Sequence, residues 1–181
     1  MLLSLDISTS CVGYAVFSEK RALLEMNYVK FSNKKTIFEK LEQFKGKIAH
    51  LSKFDITAIA IEEPLKKFQG KYSSANTIAI LNFFNGMISS FVASHFKLEP
   101  VYYNVNFVRS KAFPNLKIKK QGASSKHQVW ECVVGLEPQI NWKYGVRSRK
   151  LVEENYDMAD AYAVGKCYLI MMKIQKAKLN S

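Results

Sequence analysis

An acidic residue closes each of two short hydrophobic runs in this chain. Asp6 ends Leu2-Leu3-Ser4-Leu5, and Glu62 ends Ile59-Ala60-Ile61. Asp157 and Asp160 stand three residues apart at the start of a long apolar segment, with Asp160 inside Met158-Ala159-Asp160-Ala161-Tyr162-Ala163-Val164. Carboxylates in such surroundings are costly unless a cation neutralises them. Any fold of this chain must therefore carry two strand ends and one helix start to places where negative charge is compensated. Residues three apart share a helix face, and the dipole near a helix N-terminus favours ionised Asp. Each acid alone has a simpler explanation: a turn cap over Ser8-Thr9-Ser10 for Asp6, a solvated strand end for Glu62 or Glu63, a helix cap for Asp157 or Asp160. The four together point to one site of hard oxygen donors, the kind that Mg²⁺ requires. Glu62 is preferred to Glu63 because Ala58, Ala60 and Glu62 share a strand face, while adjacent residues point opposite ways.

Residues 2–7, 13–17 and 23–31 read as three strands separated by Ser8-Thr9-Ser10 and Ser18-Glu19-Lys20, an antiparallel meander. Thr36 and Glu39 form a capping box, ahead of Ile37, Leu41, Phe44, Ile48 and Leu51 at helical spacing. Residues 56–62 form a buried strand that Pro64 stops. Residues 76–96 make a long helix, apolar on more than one face, which calls for two layers of its own protein or a partner chain. Residues 101–105 form another strand, and Asn106 is expected to cap a short helix over 107–113. Ser124 or Ser125 opens a helix that Gly135 is expected to stop. The last helix runs from about residue 156 to 178, with Lys173, Lys176 and Lys178 at the negative end of its dipole. The order β-β-β-α-β-α-β-α-α-α predicts an α/β protein. Its mixed five-stranded sheet joins a three-strand antiparallel meander to two parallel strands, with helices on both faces. A single domain is expected over residues 1–181.

Lysine and arginine total 27 against 15 acids, a net charge of +12. That excess attracts a polyanion, and nucleic acid is the commonest one. No uninterrupted apolar run reaches the ~18 residues of a membrane span, so no membrane association is expected. The first residues lack the charged start and cleavage site of a signal peptide, and a cytoplasmic protein is expected. Cys11, Cys132 and Cys167 show no metal-ligand spacing and read as buried thiols. Basic residues gather in three stretches: Lys66, Lys67 and Lys71 interleaved with Phe68 and Tyr72; Lys117, Lys119, Lys120 and Lys126; and Arg147, Arg149 and Lys150. Each flanks a candidate acid. Cations neutralise phosphates and aromatics stack on unpaired bases, so these residues are the candidate DNA contacts, reading shape rather than base edges. Acids gathered at one point on a basic protein suggest a metal-dependent nuclease, in which two ions hold the attacking and leaving oxygens of a phosphodiester.

The wording of these segments carries a family resemblance. Leu5-Asp6-Ile7-Ser8-Thr9-Ser10-Cys11-Val12-Gly13-Tyr14-Ala15-Val16 resembles the first strand pair of the RuvC-type Holliday junction resolvases, in the RNase H-like superfamily. Ala60-Ile61-Glu62 is similar to their second acidic motif, and Gly122-Ala123-Ser124-Ser125-Lys126-His127-Gln128-Val129 to the segment that supplies a basic residue. Asp157-Met158-Ala159-Asp160-Ala161 resembles their closing motif. The four occur in the family's order over about residues 2 to 170. Asp-Ile-Ser-Thr-Ser and Ile-Glu-Glu-Pro look more like phage-encoded members, which implies the host cytoplasm.

The resemblance implies an RNase H-like sheet and two ions, Mg²⁺ or Mn²⁺, in each active site. Asp6 would bridge the ions, Glu62 and Asp157 would each ligate one, and Asp160 would complete the site. Lys126 would stabilise the phosphate. Phe68, which follows Pro64-Leu65-Lys66-Lys67 and so comes later than the bacterial aromatic wedge, is either a base-stacking residue or a loop aromatic on the core surface. A homodimer through the 76–96 helix is implied, acting on branched DNA and four-way junctions above all. The expected activity is a structure-selective endonuclease that resolves such junctions. A broader nuclease for Y-forks and flaps and a non-catalytic junction-binding module are the alternatives. An actin-like or sugar-kinase ATPase also begins with a strand ending in Asp and a Ser/Thr/Gly loop, but 181 residues are too few for its two domains and no second motif appears.

Overall fold

The computed structural model describes residues 1–64, 75–116, 118 and 124–180. Strands β1 (Leu2–Ile7), β2 (Cys11–Phe17) and β3 (Leu23–Lys30) form an antiparallel meander. β4 (Ala58–Glu62) lies parallel to β1, and β5 (Val101–Tyr103) parallel to β4, so the sheet order is β3-β2-β1-β4-β5. Parallel neighbours need crossover connections. Helix α1 (Ile37–Ile48) with a short 3-10 turn (Ala49–Lys53) supplies one, and α2 (Ala75–Phe96) supplies the other. Three further helices follow: α3 (Val105–Ala112), α4 (Ser125–Leu136) and α5 (Glu154–Leu179).

Strand alternation sorts the side chains into two layers. Leu3, Leu5, Val12, Tyr14, Val16, Ile59 and Ile61 pack against Phe44 and Ile48 of α1 and Phe84, Ile88 and Val92 of α2. Leu2, Ala15, Phe17 and Ala60 face the other way, onto Val108 of α3, Val129 and Val133 of α4, and Met158, Tyr162 and Val164 of α5. β1 is buried along its whole length because both its faces are covered. That is why its sequence is nearly continuous in apolar residues rather than alternating. Small residues let α5 lie close on the sheet. Ser4 Oγ donates to the Ala161 carbonyl at 2.8 Å, and a Cβ at Gly165 would come within 2.2 Å of the Phe17 ring.

Local signals decide the boundaries. The capping box forms: the Thr36 hydroxyl accepts from the Glu39 amide, and the Glu39 carboxylate accepts from the Thr36 amide at 2.7 Å. Asn104, not Asn106, caps α3, since Asn104 holds the extended backbone a cap needs and accepts from the Asn106 amide at 3.0 Å. The preceding strand accordingly ends at Tyr103 instead of residue 105. Gly135 does not stop α4, which continues to Leu136; the stop is Pro138, which disfavours helical backbone at Glu137.

α2 is long and apolar enough to cross a bilayer, by length and composition alone. Here Phe84, Ile88 and Val92 are buried against the sheet, while Ile80 and Phe83 on its outer side are 41% and 55% exposed.

Candidate active site

Asp6 is the last residue but one of β1 and shares a face with Leu2 and Ser4, the face that carries α5. Its register partner on β2 is Gly13. A Cβ on Gly13 would collide with the backbone of Asp157 and Met158, so the first turns of α5 rest on bare strand backbone directly beside Asp6. Asp160 follows one turn later on the same helix face. Glu62 ends β4, the parallel neighbour of β1, on the face of Ala58 and Ala60. Open crevices at the carboxyl ends of parallel strands are where α/β sheets bind ligands. Here a cleft of about 300 Å³ is lined by Asp6, Glu62, Glu63, Arg109, Ser125 and Lys126 among others.

Two cations face these acids. Lys126 Nζ lies 2.9 Å from Asp157 Oδ1 and 3.7 Å from Asp160 Oδ2. Arg109 Nη2 lies 3.7 Å from Asp160 Oδ1, and its Nε is buried with no hydrogen-bond partner among the described residues. Arg109 was not legible as a site residue. It sits in Phe107-Val108-Arg109, with no acid nearby in sequence, and only the packing of α3 on α5 brings it in.

Positive charge is in short supply at this point. Burial, and then the charges of Glu62 and Asp160, push the Asp6 carboxyl well above the usual range. Glu62 is pushed up to about 7 by burial and by Asp160, against the pull of Arg109 and Lys126. Asp160 is also raised by burial, although Lys126 and Arg109 oppose it. Burial works against charge on Lys126 too, but Asp6, Asp157 and Asp160 outweigh it and hold the ammonium protonated. The buried Cys11 thiol is raised by desolvation and then by the Asp157 carboxylate. Among the described residues no three His, Cys, Asp or Glu side chains already converge on one ion-sized point; the Lys126 ammonium bridges Asp157 and Asp160 instead. The donor set itself, four carboxylates with surplus negative charge and no nitrogen or sulfur ligand, suits a hard divalent cation.

Neighbouring contacts hold the cations and acids in place. Ser124 Oγ caps α4 by accepting from the His127 amide at 3.2 Å. His127 Nδ1 lies 3.0 Å from the Tyr156 hydroxyl. The residue after Lys126 is thus tied to the residue before Asp157. Glu154, one turn ahead of Asp157, pairs with Lys30.

Of the expected DNA contacts, Arg147, Arg149 and Lys150 are exposed on the loop that leads into α5. Lys66, Lys67, Phe68, Lys71, Tyr72, Lys117, Lys119 and Lys120 lie outside the described residues.

No protein-family model matches the sequence, and no curated protein matches it. Solved structures do. RuvC of T. thermophilus in complex with a Holliday junction substrate aligns with a TM-score of 0.66 at 16% identity, covering 96% of this chain and 94% of that one. The yeast mitochondrial Holliday junction resolvase Ydc2 aligns with a TM-score of 0.58 at 12% identity, over 99% and 83%. Fowlpox virus resolvase, in complex with its substrate Holliday junction DNA, aligns at 0.52 and 13%, over 94% and 97%. At these identities the likeness is one of fold: this chain has the mixed-sheet RNase H-like fold in the form shared by these proteins.

Proposed function

We propose that this protein is a structure-selective DNA endonuclease that resolves four-way junctions by metal-dependent phosphodiester hydrolysis. The observation that carries this reading is that Asp6 and Glu62, from two neighbouring strands, line one cleft with Lys126, whose ammonium bridges Asp157 and Asp160 of α5, in a protein with net charge +12. The fold in which they converge is shared with structures solved on junction DNA.

Asp6, Glu62, Asp157 and Asp160 would hold the divalent ions, two of Mg²⁺ or Mn²⁺. Bound there, such ions supply water activation and neutralise the leaving 3′-oxygen. The chain's own side chains do the rest. With those acids engaged by cations, Lys126 would be released from Asp157 and Asp160 and its ammonium would be free to meet a non-bridging phosphate oxygen. Arg109 lines the same cleft, with an Nε unpartnered among the described residues, and would present a second, planar donor to that phosphate. Both groups stabilise charge that grows as the phosphorus is attacked.

The protein acts as a homodimer through α2 in this reading. Its support is the apolar outer side of that helix, where Phe83 and Met87 line a groove of about 630 Å³ with Leu41 of α1. Two-fold pairing is the commonest oligomer geometry, and it would present two equivalent sites to two symmetric strands.

A cleavage gel tests the proposal. Labelled four-way junction, Y-fork, flap and linear duplex are each incubated with the protein and Mg²⁺ or Mn²⁺. Paired symmetric nicks in the junction, absent with Asp6→Asn, are expected. Equal cutting of forks and flaps would make the enzyme a general debranching nuclease. Binding without any cutting would make it a junction-binding module.

A further inference from the structure

Between α4 and α5 the chain folds a small ordered hairpin over residues 143–152. Tyr144 and Leu151 form an antiparallel bridge. The Gly145 amide donates to the Lys150 carbonyl and the Arg149 amide to the Gly145 carbonyl, each at 2.8 Å. Arg149 holds a left-handed backbone, φ 52°, to make the turn. The base of the hairpin is fixed to the catalytic helix. Asn155, wholly buried at the start of α5, donates to the Lys143 carbonyl at 2.6 Å and accepts from the Lys143 amide at 3.2 Å. Asn155 is two residues from Asp157, so the hairpin's direction and the site's position are set by one buried side chain.

The hairpin's surface has an unusual composition. Residues 143–152 contain no acid. Arg147, Arg149 and Lys150 are exposed and form no ion pair among the described residues. At the tip Val146 is 98% exposed, and Tyr144 beside it is 54% exposed. A lone exposed valine needs no explanation on a mobile tail. An apolar tip on a braced turn, ringed by uncommitted cations, is a different surface, because it joins charge attraction to apolar contact. The matching partner is a polyanion with accessible apolar planes. Intact duplex offers phosphates but keeps its bases stacked inside. DNA at a branch point offers phosphates and an interrupted stack together, and apolar side chains enter such steps readily.

We infer that the 143–152 hairpin is a branch-sensing finger: Arg147, Arg149 and Lys150 grip phosphates, and Val146, flanked by Tyr144, packs against an unstacked base at the junction. This rests on the branched-DNA reading above. Because the finger shares Asn155 with α5, seating it at the branch fixes how far from the branch the carboxylates lie.

The test uses binding and needs no cleavage. A four-way junction carrying 2-aminopurine at the crossover is titrated with the full-length protein in EDTA. Wild type is expected to raise the fluorescence as the base unstacks. Val146→Ser should abolish the rise and weaken junction binding, with linear-duplex affinity and thermal midpoint unchanged. Arg147→Ala/Arg149→Ala should weaken both substrates and lower the salt slope by about two. A Val146→Ser protein that keeps both the fluorescence rise and the junction preference overturns the finger alone, leaving the nuclease reading to its cleavage gel. Wild type that neither prefers nor cuts the junction removes the nuclease reading, and the finger with it.

Discussion

A Cβ placed on Gly13 would stand 2.1 Å from the carbonyl oxygen of Asp157. Both groups belong to backbone, so neither side can yield by changing a rotamer. Gly13 is also the cross-strand partner of Asp6. One glycine therefore sets the distance between the first candidate acid and the helix that carries the last two.

Gly13→Ala should lift the start of α5 from the sheet, costing about 3 kcal/mol or more through overpacking. Thermal midpoint and DNA cleavage should fall together. Gly46 in α1 makes the matched control, because its Cβ would meet nothing within 4 Å. There alanine should stabilise by about 0.5–1 kcal/mol and leave cleavage intact. Calorimetry on the two variants decides the matter; a Gly13→Ala protein as stable as wild type would refute the contact.

Asp6→Asn should make the metal-free protein more stable while abolishing cleavage. Burial and the neighbouring charges of Glu62 and Asp160 already oppose ionisation of Asp6, so a neutral amide relieves repulsion that the metal would otherwise relieve. Thermal melts with and without Mg²⁺ should show the ion stabilising wild type and doing little for the variant. Equal metal responses would count against Asp6 as a ligand.

Stability of the metal-free protein should decline as pH rises from about 5 to 8. The folded-state Glu62 carboxyl is pushed up from 4.5 to about 7. Between those values the folded protein holds a proton the unfolded chain has released. The resulting stabilisation is complete below the unfolded value and is lost as pH climbs through the folded one. Asp6 and Asp160 shift in the same direction. Glu25 shifts oppositely, since burial there is outweighed by hydrogen bonds from His50 and Tyr14; its contribution disappears only in acid, below that window. Saturating Mg²⁺ should flatten the slope, and a pH-independent midpoint in EDTA would contradict the charge balance described for the cleft.

Tyr156→Phe removes the hydroxyl that meets His127 and keeps the edge-on ring contact between them, 5.9 Å between centroids. With the tie gone, Lys126 and Asp157 lose their shared alignment. Single-turnover cleavage should slow about tenfold from misplacement, with junction affinity held. Loss of affinity at an unchanged rate would show that the pair serves binding instead.

The order of strands and helices was legible because each rests on local signals: the Thr36–Glu39 box, the apolar runs before Asp6 and Glu62, and Pro64 after β4. The strand faces were legible for the same reason, since Ala58, Ala60 and Glu62 alternate with buried Ile59 and Ile61. Arg109 was not, because its partner Asp160 is remote in sequence and no local pattern marks such a pair. The cap of α3 was not legible, because Asn104 falls within the apolar run 101–105 and only the end of β5 at Tyr103 frees it to cap. Gly135 does not stop α4 because a glycine stops a helix where the backbone turns left-handed, and the helix runs on through it to Leu136, just ahead of Pro138.

Asp6 lies on the first strand of the sheet, Glu62 on the fourth, and Asp157 and Asp160 on a helix that reaches them only by docking across β1 and β2. The only local pair among them, Asp157 and Asp160 on α5, lacks the acids of β1 and β4 until the helix docks. An unfolded or half-assembled chain would thus be harmless to nucleic acid, and cutting power would arise in one step, together with cooperative closure of the hydrophobic layers.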